Sequence, residues 1–181
     1  MMPRSRLELL WWREVAKSSD VRKYELSDRE QCRRLWRELT EWHREIYDDP
    51  TIGGEHPEDR FDEHLAKVGP ERLWVATCDS QVVGLVGLVV EGEEAEIEPI
   101  IVSESYRRRG LGKKLLQKVV SEAKKMGIRF LCVKPVARNI EAIEFLYRQG
   151  FRSLGQIELC MDFVGYAWKP GPVIHECKFN L

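Results

Sequence analysis

The sequence predicts an α/β (α+β) chain with a mixed, mostly antiparallel central sheet flanked by helices, and three observations carry that expectation. Two strand-like runs, 73–77 and 82–90, are separated by a gap of hairpin size, which makes them antiparallel neighbours. A third strand, 96–102, runs through a glycine-rich turn into an amphipathic helix whose Leu111, Leu115, Leu116, Val119, Val120 and Ala123 recur at helical spacing. After Gly127 ends that helix, the continuous apolar run 128–133 reads as a buried, parallel strand.

The remaining elements follow in order. Leu7, Leu10, Trp11 and Val15 have helical spacing and predict an N-terminal helix over 5–17; residues 21–26 alternate weakly and read as a short strand. Ser27-x-x-Glu30 has the capping-box pattern and opens a helix with Leu35, Trp36, Leu39, His43 and Ile46 on one stripe. Residues 48–57 are rich in Asp, Gly and Pro and predict a loop; 58–68 predict a short helix ended by Gly69-Pro70. Asn139 is a good N-cap for a helix carrying Ala142, Ile143, Leu146 and Tyr147, which Gly150 terminates. Residues 151–154 and 157–163 look like two final strands, bringing the sheet to about six or seven. Pro170-Gly171-Pro172 then opens a tail over 173–181. There is no internal repeat, so the expectation is one domain over 1–181: a helical extension (1–19), a core (20–163) and a C-terminal tail (164–181).

Composition bounds the function. Lys and Arg number 29 against 30 Asp and Glu, a net charge of −1. A nucleic-acid or membrane-surface binder would carry a basic excess, so neither partner is expected. Five cysteines (Cys32, Cys78, Cys132, Cys160 and Cys177) are widely spaced with no C-x-x-C pair, as expected for free thiols in a reducing cytoplasm. Leu9-Leu10-Trp11-Trp12 is too short for a signal-peptide core, and no stretch reaches membrane-spanning length. His175-x-Cys177 places two potential ligands on one strand face, but nothing accompanies them, so no metal is expected.

The chemistry concentrates where the strand ending at Val102 turns into the helix at Leu111. A tight turn of this kind exposes the first N–H groups of the helix, which lack intrahelical partners and lie at the positive end of the helix dipole. Phosphate or pyrophosphate is the natural ligand. Gly110 and Gly112 allow close approach of the backbone, and Arg107, Arg108, Arg109, Lys113 and Lys114 add positive charge. Basic residues at a helix start oppose the dipole, so the cluster calls for an explanation. The spacing is neither G-x-G-x-x-G nor G-x-x-x-x-G-K-[ST]. Taken alone, the turn also fits a solvated basic loop.

Together with its surroundings, it resembles the GNAT superfamily of acyl-CoA-dependent N-acyltransferases. Arg107-Arg108-Arg109-Gly110-Leu111-Gly112 is similar to the family's [QR]-x-x-G-x-[GA], the helix opens Lys113-Lys114-Leu115-Leu116, and Asn139-x-x-Ala142-Ile143-x-x-x-Tyr147-x-x-Gly150-Phe151 is similar to the family's N-x-x-A-x-x-x-Y-x-x-x-G-F with one residue fewer before the glycine. The resemblance implies acetyl-CoA as co-substrate, an amine acceptor and no metal. It implies that the backbone of Ile100, Ile101 and Val102 pairs with the pantetheine arm. Backbone N–H groups from Arg108 to Lys113 would hold the pyrophosphate, and Asn139 would contact the cofactor arm. Tyr147 would protonate the departing thiolate, and an N–H near Val102 would polarise the thioester carbonyl.

An amine attacks a thioester only when neutral, so a base is needed. Glu96 and Glu98 are the candidates: on a regular strand they share a face with Ile100 and Val102, and Glu96 stands where some family members carry a catalytic glutamate. The other reading of both is cation binding or solvation at the strand start; for Tyr147 it is a core aromatic. Trp42, His43, Tyr47, Asp48 and Asp49 are candidates for the acceptor side, Trp36 for the core or a pocket wall, and His43, His56 and His64 for surface or half-buried positions. Trp11 and Trp12 are candidates for a homodimer or docking surface. The acceptor is a primary amine on a small molecule or a protein; the alternative function is a non-catalytic acyl-CoA-binding regulatory module.

Overall fold

A computed structural model describes residues 19–163 and 165–181. The helix expected over 5–17, with Trp11 and Trp12, lies outside the described residues. The chain forms two compact units, one ending at Lys134 and one running from Pro135 to Leu181.

The first unit is built on five strands: β1 (Asp20–Lys23), β2 (Leu73–Cys78), β3 (Gln81–Glu91), β4 (Glu94–Val102) and β5 (Phe130–Val133), in that spatial order. β1 to β4 pair antiparallel, and β5 joins β4 in parallel. The β2–β3 hairpin closes at Asp79 and Ser80, both at positive φ (49° and 65°), the twist that suits a two-residue hairpin turn. Helices α1 (Arg29–Tyr47) and α2 (Asp59–Val68) cover one face of the sheet, and α3 (Leu111–Lys125) packs on β2, β3 and β4.

The three helices of the first unit bury apolar residues against the sheet, whereas of the stripe expected on the helix after Asn139 only Leu146 is buried. Cys32 and Leu35 of α1 and Phe61 and Val68 of α2 close over Leu73, Val75, Leu85 and Ile101, with Trp36, Leu39, Leu65 and Val89 at the margin. Leu111, Leu115, Leu116, Val119 and Ala123 are the buried side of α3. Removing a side chain such as Phe61 or Leu115 from water contributes about 1.5–3 kcal/mol. Charge then fixes how α1 lies on α2: Arg29 pairs with Asp62, Arg33 with Asp59 and Asp62, and Arg37 with Glu58, one helical turn apart along α1. These pairs are solvent-screened and set register more than stability. The start of α1 departs from expectation. The capping box belongs to a 3-10 turn (Leu26–Asp28) that precedes α1 and pairs Glu25 with Asp28, not Ser27 with Glu30; the buried Asp28 carboxylate also accepts from both terminal nitrogens of Arg22 (2.7 and 2.8 Å).

β4 is not a regular strand. Leu88 pairs with Ile97 and Val86 with Ile100, so Gly87 faces two residues, Glu98 and Pro99, across a β-bulge. A Cβ at position 87 would lie 2.3 Å from the Glu98 carbonyl oxygen. The bulge changes which face each side chain takes. Ile101 joins the α1–α2 core, while Val102 pairs with Gly84, whose position faces Leu115 of α3. Glu96 pairs with Val89, on the α1–α2 side, and Glu98 reaches Lys67 of α2 at 3.9 Å. The single face expected for Glu96, Glu98, Ile100 and Val102 is therefore corrected: the two glutamates face α1 and α2, and Val102 faces α3.

The second unit holds α4 (Ile140–Arg148) and a hairpin of β6 (Pro170–Ile174) with β7 (Cys177–Asn180). Asn139 caps α4, its side-chain oxygen accepting from the Ala142 N–H at 3.1 Å. The strands expected over 151–154 and 157–163 do not form: 151–163 carries no regular structure, and Leu154, Leu159 and Phe163 are 80%, 68% and 87% exposed. Alternation supplies a strand's side-chain pattern but not a ladder partner, and none pairs with this segment among the described residues. Among the described residues the sheet thus has five strands rather than six or seven, and the tail contributes a separate two-stranded one. β5 is also less buried than its apolar run predicts, because it is the edge strand; Phe130 is 52% exposed.

Because the Glu98 carbonyl occupies the place of a side chain at position 87, Gly87→Ala is expected to lower stability by about 1–3 kcal/mol in urea unfolding; an unchanged midpoint would show that the bulge yields freely.

Candidate functional site

β4 has two different edges. One pairs with β3 from Glu94 to Val102. On the other, β5 pairs only with Glu94–Ile97, and no strand among the described residues pairs with 98–102. The two parallel strands part after Ile97 and Val133, leaving an open stretch of backbone donors and acceptors about 13 Å long at ~3.3 Å per residue. An open edge of this kind accepts an extended ligand much as it would a strand.

The open edge leads into the glycine turn. A 3-10 turn (Glu104–Tyr106) is followed by Arg108 at φ 60° and Gly110 at φ 81°, which caps α3. Lys114 is the first residue of α3 to donate within the helix, to the Gly110 carbonyl at 3.0 Å. The N–H groups of Leu111, Gly112 and Lys113 precede that first bond and point out of the helix start. No acidic side chain stands in this first turn, and nothing lies within 4 Å of where a Cβ on Gly110 would be.

The arginines of the turn are held by their neighbours. Arg107 donates to the Val102 carbonyl at 3.2 Å, and its guanidinium lies 5.0 Å from the Trp42 ring. Arg109 lies 4.7 Å from the Tyr106 ring and donates to the Ser105 carbonyl at 2.5 Å. Lys114 donates to the Ser19 hydroxyl at 2.8 Å. Trp42, expected on the acceptor side, therefore buttresses the glycine turn through a cation–π contact.

Five ionisable groups gather where β4 and β5 part. Glu96 and Lys134 form an ion pair at 2.5 Å, which raises the Lys134 pKa above its ordinary value. Glu98 faces Lys67. His64, expected at the surface or half-buried, is only 6% exposed, its ring 5.2 Å from that of Trp36. Nε2 of His64 lies near the Glu98 carbonyl and Gly87 without a well-formed hydrogen bond. Burial lowers its pKa, against a smaller upward pull from Glu98, so the ring is neutral at neutral pH. A signal for its burial was present, since His64 lies on the stripe of Phe61, Leu65 and Val68. Lys134 carries no sequence signal: its partner is on another strand.

The acidic loop after α1 folds on itself. Asp49 accepts from the Thr51 N–H and hydroxyl (2.8 and 2.6 Å), which hold its pKa below the usual range. Arg44 donates to the carbonyls of Ile52 and Gly54. Asp48 sits at φ 53° as the C-cap of α1, and His43 is half-buried, its pKa lowered by burial. In the second unit Tyr147 is 56% exposed, with Arg152 5.3 Å from its ring, so it is not the core aromatic of the alternative reading. Among the described residues there is no group of three or more His, Cys, Asp or Glu that could hold a metal ion, and no helix is long and apolar enough to cross a membrane.

Residues 33–151 match the model of the acetyltransferase (GNAT) family. The chain belongs to the GNAT family. It is 33% identical over 94 residues to an uncharacterized N-acetyltransferase of Methanocaldococcus jannaschii, covering 48% of this chain and 42% of that protein. To the probable N-acetyltransferase camello of Xenopus tropicalis it is 32% identical over 95 residues, covering 51% and 43%. The chain thus matches less than half the length of these curated relatives. A GNAT acetyltransferase from Staphylococcus aureus Mu50 superposes with a TM-score of 0.63 at 20% identity, over 81% of this chain and 92% of that one. The PaiA N-acetyltransferase of Thermoplasma acidophilum, solved with coenzyme A, gives 0.62 at 23% identity, over 75% and 90%. At these identities the likeness is one of fold.

Because His64 is held neutral by burial, the unfolded chain binds its proton more readily than the folded one. Its contribution to stability is complete above the unfolded pKa of about 6.5 and declines as pH falls from there toward the lower folded value. Unfolding free energy is expected to drop between pH 7.5 and 5, and His64→Gln to flatten part of that slope; equal slopes for the two proteins would contradict the assignment.

Proposed function

We propose that this GNAT protein transfers an acetyl group from acetyl-CoA to a primary amine by direct attack on the thioester. The observation that carries the proposal is the open edge of β4 over 98–102, continuous with the N–H groups at the start of α3. One end offers a strand-like partner to an amide-bearing arm, the other a concave set of donors to a pyrophosphate. The residues present fit the cofactor, since Gly110 leaves its surroundings open and the turn carries positive charge with no carboxylate in the first helical turn.

In this reading the backbone of Ile100, Ile101 and Val102 pairs with the pantetheine arm, and the N–H groups from Arg108 to Lys113 bind the pyrophosphate. Arg107 acts by holding the turn against Val102 and Trp42. Asn139, whose side-chain oxygen caps α4, approaches the arm. Glu96 or Glu98, directly or through water, takes the proton of the acceptor ammonium, because only the neutral amine has a lone pair for attack. An N–H near Val102 polarises the carbonyl, and Tyr147 protonates the thiolate as it leaves. The free thiols fit a reducing compartment such as the cytoplasm.

Calorimetry with acetyl-CoA, CoA and ATP tests the cofactor: acetyl-CoA and CoA should bind and ATP should not match them, whereas no binding of either thioester or thiol would remove the basis of the proposal. With thiol release as the assay, Tyr147→Phe is expected to lower kcat roughly 100-fold while KM for acetyl-CoA stays nearly unchanged. Unaltered turnover would take the acid role from Tyr147.

A further inference from the structure

Lys134 stands at the vertex of the fork. The last β4–β5 pair is Ile97 with Val133, and Lys134 is the next residue, where the strands have just parted. Its side chain is 64% exposed, yet the ammonium turns back to Glu96, one of the two candidate bases, and meets the carboxylate at 2.5 Å. An acceptor ammonium handing its proton to Glu96 would occupy this same place. A cofactor arm laid along β4 from the glycine turn toward Glu98 would bring its thioester to the same vertex. The chain thus holds a primary amine of its own where the proposed reaction needs one.

We propose that Lys134 is a self-modification site, acetylated by the protein's own active site from bound acetyl-CoA. This rests on the acetyl-transfer reading above. The step balances without a further reactant. The Lys134 ammonium loses one proton to Glu96, and the neutral Nζ attacks the thioester carbonyl carbon. A C–N bond forms, the C–S bond breaks and its electron pair leaves on sulfur. The thiolate takes up one proton, and the second nitrogen proton lost passes to solvent. The products are the acetamide of Lys134, CoA thiol and one net proton. The amide carries no charge, so the modification also removes the counter-ion of Glu96 and leaves that carboxylate open to an external ammonium.

The ion pair gives the test its sign. Pairing with Glu96 keeps Lys134 charged, so random acetylation in solution should spare it, and Glu96→Gln should then speed its modification by releasing a neutral amine. Reaction within the site predicts the opposite. The purified protein is incubated with acetyl-CoA without any amine, and each lysine is followed by peptide mass spectrometry. Lys134 is expected to gain one acetyl group at least tenfold faster than Lys113, Lys118, Lys124 or Lys125, at a rate independent of protein concentration. Glu96→Gln is expected to slow it at least tenfold, and Lys134→Arg to abolish it. Acetylation of all lysines at similar rates overturns the proposal in the wild-type protein alone, and so does faster modification of Lys134 in Glu96→Gln. Turnover of external amines with Lys134 unmodified would refute the self-modification and leave the acetyl-transfer reading standing; failure to bind acetyl-CoA would refute both.

Discussion

A side chain at position 87 would collide with the Glu98 carbonyl at 2.3 Å, and the geometry of the site follows from the room that glycine leaves. With that room, two residues of β4 fit opposite one of β3, and the strand changes which face its side chains take. Glu96 before the bulge and Glu98 within it look toward α1 and α2; downstream, Ile101 enters the core under those helices and Val102 turns to α3. The bulge lies directly beyond the last residue that β5 reaches, Ile97. Acidic side chains, the open backbone edge and the parting of the strands therefore meet within a few residues.

A second constraint acts at the far end of that edge. A helix start with cationic neighbours is electrostatically unfavourable by itself, since the dipole and the cations repel. The structure holds the cations of this turn in place with π faces and carbonyls: Arg107 against Trp42 and Val102, Arg109 against Tyr106 and Ser105. Placing an anion at the N–H groups of Leu111, Gly112 and Lys113 would relieve the repulsion, which is the physical reason to read the turn as a pyrophosphate cradle. Trp42 links this turn to α1, so the helix that covers the acidic pair also supports the proposed cofactor end.

Much of this was legible in the sequence where the signal is local. The hairpin at Asp79-Ser80, the amphipathic α3, the cap at Asn139 and the glycine turn each depend on residues a few positions apart. Elements that depend on a partner elsewhere were not. Ile157, Leu159, Met161 and Phe163 alternate like a strand, but the segment has no ladder among the described residues and is not one. The hairpin of β6 and β7 is hidden because Pro170 and Pro172 read as breakers, though a proline is tolerated where its missing N–H owes no bond. The bulge was hidden because Gly87 is informative only beside Glu98. Lys134 was hidden because its ion pair crosses from the residue after β5 to β4.

In the proposed reaction the open edge of β4 and the start of α3 form one continuous binding surface for acetyl-CoA. Hydrogen–deuterium exchange with and without acetyl-CoA reads it most directly. Slowed exchange is expected at the amides of Ile100, Ile101 and Val102 together with those of Arg108 to Lys113, with little change at Glu94 to Ile97, which the β-ladder already protects. Tight binding that protects other segments and leaves both of these stretches unchanged would contradict it.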